Sequence, residues 1–301
     1  MEAKVYRAML KILSSIAHSP RGPRRQFGDR WIILVYLWSV INDRPVSWAC
    51  DEHNWPKDQL DERPLPSNAT MSRRLRTLGV LGLLERLLLT LTDALPVPLV
   101  KTVDSKPLVV GAYSKDRDAK RGRLAERQFA RGYRLHMLCH GRAARSWVIA
   151  PMNLHDSELA PRLLERLEGG GGYAVADNAY DTNDCHREAS AAGHQLVAPP
   201  RAVNRHVRDA RHNVPERLRT LDLLASPLER CGQPNGFGIA LYNAREQAES
   251  CFGELSIKGL NYLPAWVRGP RRVALFVAAK LTLHAWRCVQ RKGLKVADAK
   301  S

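Results

Sequence analysis

The sequence predicts an α/β protein: a mixed sheet flanked by helices, preceded by a small all-helical domain. Three observations lead there. Residues 1–95 hold Leu-rich stretches at helical spacing with few β-branched runs. DALPVPLV, at 93–100, breaks that pattern with two prolines, and short runs rich in Val, Leu and aromatic residues follow. Helical patterns separate the later runs, the alternation expected when helices cover a sheet.

In the first part, Asp29 opens a helix that runs into WIILVYLWSVI at 31–41. This stretch is shorter than a bilayer span and reads as a buried helix, so no membrane partner is expected. PSNATMSRRLRTLG, at 66–79, offers Ser67 as a cap, a helix bearing Arg73, Arg74 and Arg76, and Gly79 as its stop, before VLGLLERLLLTL. Two helices about a glycine turn fit a helix-turn-helix that reads DNA through Arg73 and Arg74, and they equally fit ordinary bundle packing.

A domain boundary is placed at the prolines, giving 1–95 as a helical, DNA-end-binding domain and 96–301 as the catalytic domain with a basic helical tail. Strands are predicted at 100–110, 133–140, 145–152, 173–180 and 194–200, with helices over 157–167 and 182–193. Three strands followed by alternating helices and strands match a ribonuclease-H-like sheet. The polar, basic stretch 111–132 reads as a loop lining a DNA channel. VALFVAAKLTLHAW, at 273–286, reads as a core helix on the sheet, with Lys280, Arg287 and Arg291 left for phosphates.

The chain of 301 residues carries a formal charge of +17, poorly suited to a typical metabolic enzyme and well suited to a polyanion. Arg268 to Lys295 contains eight basic residues and no acidic one, and Arg201, Arg205, Arg208 and Arg211 form a second basic stripe if that stretch is helical. Six cysteines without a CxxC pair suggest neither a zinc knuckle nor a disulfide framework, and a reducing, cytoplasmic setting fits. The Gly169–Gly172 run follows a helix and precedes a strand, the reverse of a phosphate-cradling loop, which argues against nucleotide binding.

Three carboxylates stand out. Asp104 sits inside a β run, where a solitary charge is costly. Asp177 follows YAVA, so it should emerge at the carboxyl end of the sheet, where open α/β sheets collect their active sites. Glu249 lies on a helix predicted through IALYNAREQAESCFGELSIKGL, whose apolar residues recur at helical spacing. Folding that unites them would create a site for two divalent ions, Mg²⁺ or Mn²⁺, which stabilise the entering and leaving oxygens of a phosphodiester. Asp181 reads as a helix cap in preference to a supporting metal ligand, and His136 and His140 as structural or DNA-facing.

VDSKP around Asp104, VADNAYDT around Asp177, and Tyr242, Arg245 and Glu249 in the pattern Y-x2-R-x3-E resemble bacterial insertion-sequence transposases of the DDE type. GYRLHMLCH at 132–140 and GHQLVAPPR at 193–201 are similar to further strands of that family. The resemblance implies that Asp104, Asp177 and Glu249 are the metal-binding catalytic triad. It further implies that Tyr242 and Arg245 contact DNA phosphates, joined by Lys106, and that the enzyme cuts element ends and transfers the 3′-hydroxyl into target double-stranded DNA as a homo-oligomer. One position departs from the pattern: Ser256 stands where the family places a lysine seven residues after the glutamate, and Lys258, two positions later, is expected to take its place at the DNA. An inactive DNA-binding descendant, or a ribonuclease-H-like nuclease without strand transfer, are the competing readings.

Overall fold

The computed structural model describes residues 2–17, 26–60, 63–125, 127–168, 170–200, 208–225, 236–257, 259–294 and 296. They divide into two compact units, Met1–Leu95 with Trp266–Ser301, and Pro96–Ala265.

The first unit is helical: α1 (Glu2–Ser15), α2 (Asp29–Ile41), α3 (Val46–Ala49), α4 (Lys57–Leu60), α5 (Asn68–Arg74), α6 (Leu78–Asp93) and, from the far end of the chain, α12 (Pro270–Arg291). Helix α2 is apolar on every side, and Ile32, Ile33, Val35 and Leu37 are fully buried. Each such side chain contributes roughly 1.5–3 kcal/mol relative to exposure. Tyr6, Trp38 and Trp55 interlock at ring distances of 5.1–5.8 Å, a second source of cohesion.

Three expectations for this unit change. Ser67 does cap α5, accepting from the Thr70 amide at 3.2 Å, but Gly79 does not stop it. The turn falls at Leu75–Thr77, and Gly79 lies inside α6, where an added Cβ would meet Asp29 Oδ2 at 2.8 Å. A side chain there would have to displace the Asp29 carboxylate from that position. Helix α12, expected to pack on the sheet, packs on α6 and α2, because its buried apolar face meets the leucines of α6. Lys280 is 6% exposed and ion-paired with Asp43, so it is not left for phosphates.

The second unit holds a seven-stranded mixed sheet: β1 (Val100–Val110), β2 (Lys120–Ala125), β3 (Gln128–His140), β4 (Ala143–Pro151), β5 (Gly172–Val175), β6 (His194–Val197) and β7 (Tyr262–Leu263). The spatial order is β2-β3-β1-β5-β6, with β4 on β3 and β7 on β1. β1 runs antiparallel to β3 and parallel to β5. Helices α7 (Asp156–Leu164) and α8 (Asn183–Ala191) cover one face, burying Val103, Leu138, Ala174, Ala176 and Leu196. The residues between, Val175 and Val197, point to the other face and meet Leu223 of α9 (Pro215–Ala225) and Leu241 of α10 (Phe237–Asn243). This alternation is the period of two expected of a strand buried on both sides.

The basic stretch 111–132 contains β2 and the start of β3 and is therefore a hairpin more than a loop. The helix expected through Glu249 is broken into α10 and α11 (Glu246–Ile257), with Ala244 and Arg245 at the joint. Arg201 and Arg205 lie outside the described residues; Arg208 and Arg211 lie in the turns before α9, not on a helix, and pair with Asp222 and Asp209.

Candidate active site

Strand alternation sorts the residues of VDSKP onto two faces of the sheet. Val103 points toward α7, Asp104 toward the α11 side, Ser105 back toward α7, and Lys106 again toward α11. Register pairs Asp104 with Met137 and Ser105 with His136 on β3.

Asp104 is half-buried, its Oδ1 accepting the Ser105 amide at 2.8 Å. Burial lifts its pKa to about 6, and the negative charges of Asp177 and Asp156 push the same way, against the Ser105 amide and Arg245. Asp177 follows the end of β5, where its Oδ1 accepts the Ala179 amide at 2.9 Å and starts the 3-10 turn Asn178–Tyr180. β1 and β5 are adjacent and parallel, which brings these two aspartates into one electrostatic neighbourhood although 73 residues of chain separate them.

Arg245 is the cation of this neighbourhood. Burial opposes its charge, but Tyr242, Asp104, Glu249 and Asp177 together hold its pKa above the ordinary value. Its guanidinium lies 5.8 Å from the centre of the Tyr242 ring and donates to Glu249 Oε1 at 2.5 Å. Asp104 and Asp177 thus feel each other directly, while Glu249, 55% exposed at the start of α11, is tied to them through Arg245. Tyr242 sits on α10, so the three residues of the Y-x2-R-x3-E pattern do not share one helix; the joint at Arg245 turns that side chain toward the carboxylates.

Lys106 reaches α11, donating to Ser256 Oγ at 2.5 Å and to Asn261 Oδ1 at 3.2 Å, and burial lowers its pKa. Its ammonium thus lies against Ser256, the residue seven positions after Glu249. Lys258 lies outside the described residues. Arg74, expected at DNA, is instead 12% exposed and committed to the Asp29 carboxylate and the Phe27 carbonyl, closing the turn into α2. Arg73, beside it, is exposed on α5.

One member of the site has no signal in the sequence pattern. Asp156, the first residue of α7, accepts from Ser105 Oγ at 2.9 Å and from Arg134 Nη1 at 3.2 and 3.3 Å. It supports β1 from the face opposite Asp104. His136 is fully buried with Nδ1 3.9 Å from Asp156 Oδ1, and burial holds its pKa down at about 4, so it is neutral. Tyr180, completely buried in the field of Asp156, Asp104 and Asp177, keeps its hydroxyl proton far above the ordinary range. His140 is buried too, so neither histidine is exposed. HDSELA at 155–160 reads simply as a helix start, which is why Asp156 passes unnoticed in the sequence.

Asp181 is also not the cap it resembled. Thr182 caps α8, while Asp181, 1% exposed on its side chain, is bound by Arg217 at 2.6 and 2.8 Å and by His186 at 3.2 Å. This buried pair fixes α9 to the strand end that supplies Asp177.

The donor set suits a hard cation. Aspartate and glutamate oxygens match Mg²⁺ or Mn²⁺, and a desolvated Asp104 crowded by two further carboxylates is an arrangement that added positive charge relieves.

The comparisons with known proteins agree with this layout. The cryo-EM structure of piggyBac transposase in a synaptic complex with hairpin DNA superposes with a TM-score of 0.51 at 13% identity, covering 98% of this chain and 77% of that one. At that identity the likeness is one of fold, and the fold is ribonuclease-H-like. No curated protein matches in sequence. No described helix is long and apolar enough to cross a membrane. The model of the transposase DDE domain matches residues 95–286, spanning β1 to most of α12 and including Asp104, Asp177 and Glu249. The match covers more than half of the 301 residues, and the chain belongs to the transposase DDE domain family.

Proposed function

We propose that this transposase cuts the ends of its element and joins the freed 3′-hydroxyl to target double-stranded DNA, with Asp104, Asp177 and Glu249 as the catalytic carboxylates. The observation that supports it best is the convergence of Asp104 and Asp177 with Arg245, which is bonded to Glu249. Two divalent ions, Mg²⁺ or Mn²⁺, held by the three carboxylates would activate the attacking oxygen and neutralise charge at the phosphorus. Arg245 stacks near Tyr242 and holds Glu249 until a phosphate competes for the guanidinium. Lys106 restores at Ser256 the positive charge that the departure from the family pattern removes, which favours an active enzyme over an inactive descendant. Work on paired ends implies a homo-oligomer, and the reaction belongs in the cytoplasm at the nucleoid.

The test is cleavage of labelled duplex DNA carrying the sequences that flank the gene, with Mg²⁺ or Mn²⁺, comparing the unaltered protein with Glu249→Gln. Cutting by the unaltered protein alone, with equal DNA binding by both, is expected. Nicked products without joined strands would instead establish a nuclease, and binding without cutting under either metal would establish the inactive DNA-binding form.

A further inference from the structure

We infer that the β2–β3 hairpin is a duplex-DNA backbone-binding face, separate from the Tyr242–Arg245 contact; the inference rests on the reading that this chain acts on DNA. Residues 115–134 hold eight basic side chains against three acidic ones. The hairpin sorts them by face. Gly122 and Gly132 form its inner side, where an added Cβ would lie 2.0 Å from the Met152 carbonyl oxygen and 2.2 Å from that of Leu108. Backbone approaches backbone there, so Leu108 of β1 and Met152 after β4 leave no room for a side chain at either glycine.

The opposite side is basic. Arg121 stands across from Arg131, and Arg123 across from Phe129. Like charges directly opposed on neighbouring strands repel, an arrangement that an anion laid across both relieves. Arg131 donates to the carbonyls of Ser114, Asp116 and Ala119, neutral partners that position its charge without cancelling it. Phe129 is 59% exposed with the Arg121 guanidinium 5.6 Å from its ring centre, a flat apolar and cationic surface against which a sugar–phosphate edge can rest.

The face is also wired to the carboxylates. Arg134 donates through Nη2 to the Arg123 carbonyl at 2.7 Å and through Nη1 to Asp156, which in turn holds Ser105 beside Asp104. A duplex engaged by the hairpin therefore has a defined position relative to the cutting site. A regularly charged polymer matches this ribbon better than a small anion, because the arginines are spread along two strands instead of converging on one point.

The experiment is fluorescence anisotropy of a labelled 30-base-pair duplex of arbitrary sequence with the full chain in chelator, across a series of salt concentrations. The double variant Arg121→Gln/Arg123→Gln should bind every duplex more weakly, with a plot of log affinity against log salt shallower by about 2, close to 0.9 for each phosphate no longer neutralised. Arg121→Lys/Arg123→Lys should restore the slope, separating charge from folding. Arg187→Gln/Arg208→Gln, which removes two exposed arginines paired with Asp184 and Asp222, should change neither slope nor affinity by as much. A glutamine variant with the slope of the unaltered protein would overturn the inference alone. Failure of the unaltered protein to bind any duplex would overturn the DNA reading and the inference together.

Discussion

Replacing Asp104 by Asn should make the metal-free protein more stable at neutral and alkaline pH while abolishing cleavage. The carboxyl has a pKa of about 6 in the fold against an ordinary 3.8. The folded state therefore binds this proton more tightly than the unfolded state, so stability from this group is present in acid and is lost as pH rises from about 4 through 6. Each pKa unit is worth about 1.36 kcal/mol, so the ionised carboxylate costs the fold about 3 kcal/mol above pH 7 and about 0.5 kcal/mol at pH 4. Asparagine keeps the oxygen that accepts the Ser105 amide and lacks the charge, and Arg245 retains Glu249. Urea unfolding in chelator at pH 8 should therefore show the variant ahead by about 2–3 kcal/mol, and by little at pH 4. Divalent ions should then stabilise the unaltered protein far more than the variant, since ligands that bind only the folded state add stability by mass action. A variant equal to or less stable than the unaltered protein at pH 8, or a difference that does not change with pH, would refute the argument.

Asp181→Asn should destabilise the protein by about 3–5 kcal/mol in urea, because it leaves the Arg217 guanidinium without its buried counter-charge. Burial opposes ionisation of Asp181, yet hydrogen bonds from His186 and Arg217 keep its pKa below the ordinary value, so the contribution is present at neutral pH and lost as pH falls below 4; a loss under 1 kcal/mol would show that the pair contributes little. Asp156→Ala should cost about 2–4 kcal/mol by stranding Arg134 and freeing Ser105, and should slow cleavage by at least about tenfold at unchanged DNA affinity. Cleavage at the unaltered rate would show that Asp104 needs no support from the α7 face.

The parts of the fold that announce themselves in the sequence are those whose burial is one- or two-sided and regular. VKTVDSKPLVV is apolar enough to mark β1 to its ends, and WIILVYLWSVI marks α2. KRGRLA conceals β2 because the inner face of that strand is glycine packed against backbone, which leaves no apolar alternation to read. The break between α10 and α11 is hidden because Ala244, Arg245 and Glu246 are all good helix formers, and the break comes from tertiary packing of α10 on β5 and β6. Asp104, Asp177 and Arg245 could be named from local motifs, whereas Asp156 and the Lys106–Ser256 contact depend on which face of β1 each side chain takes. That alternation becomes meaningful only once the covering helices are known.

The return of α12 to the N-terminal helices has a consequence for biogenesis. During synthesis the chain emits α1 to α6, then the whole sheet unit, and only afterwards the 22-residue helix whose apolar face covers α6. The sheet unit has all its strands by residue 263, so it is complete in sequence while the leucines of α6 still lack the helix that covers them. Asp104, Asp177 and Glu249 thus precede α12 in the chain, and a chain truncated before α12 would keep the sheet unit and leave a helical unit that is unfinished and prone to aggregate.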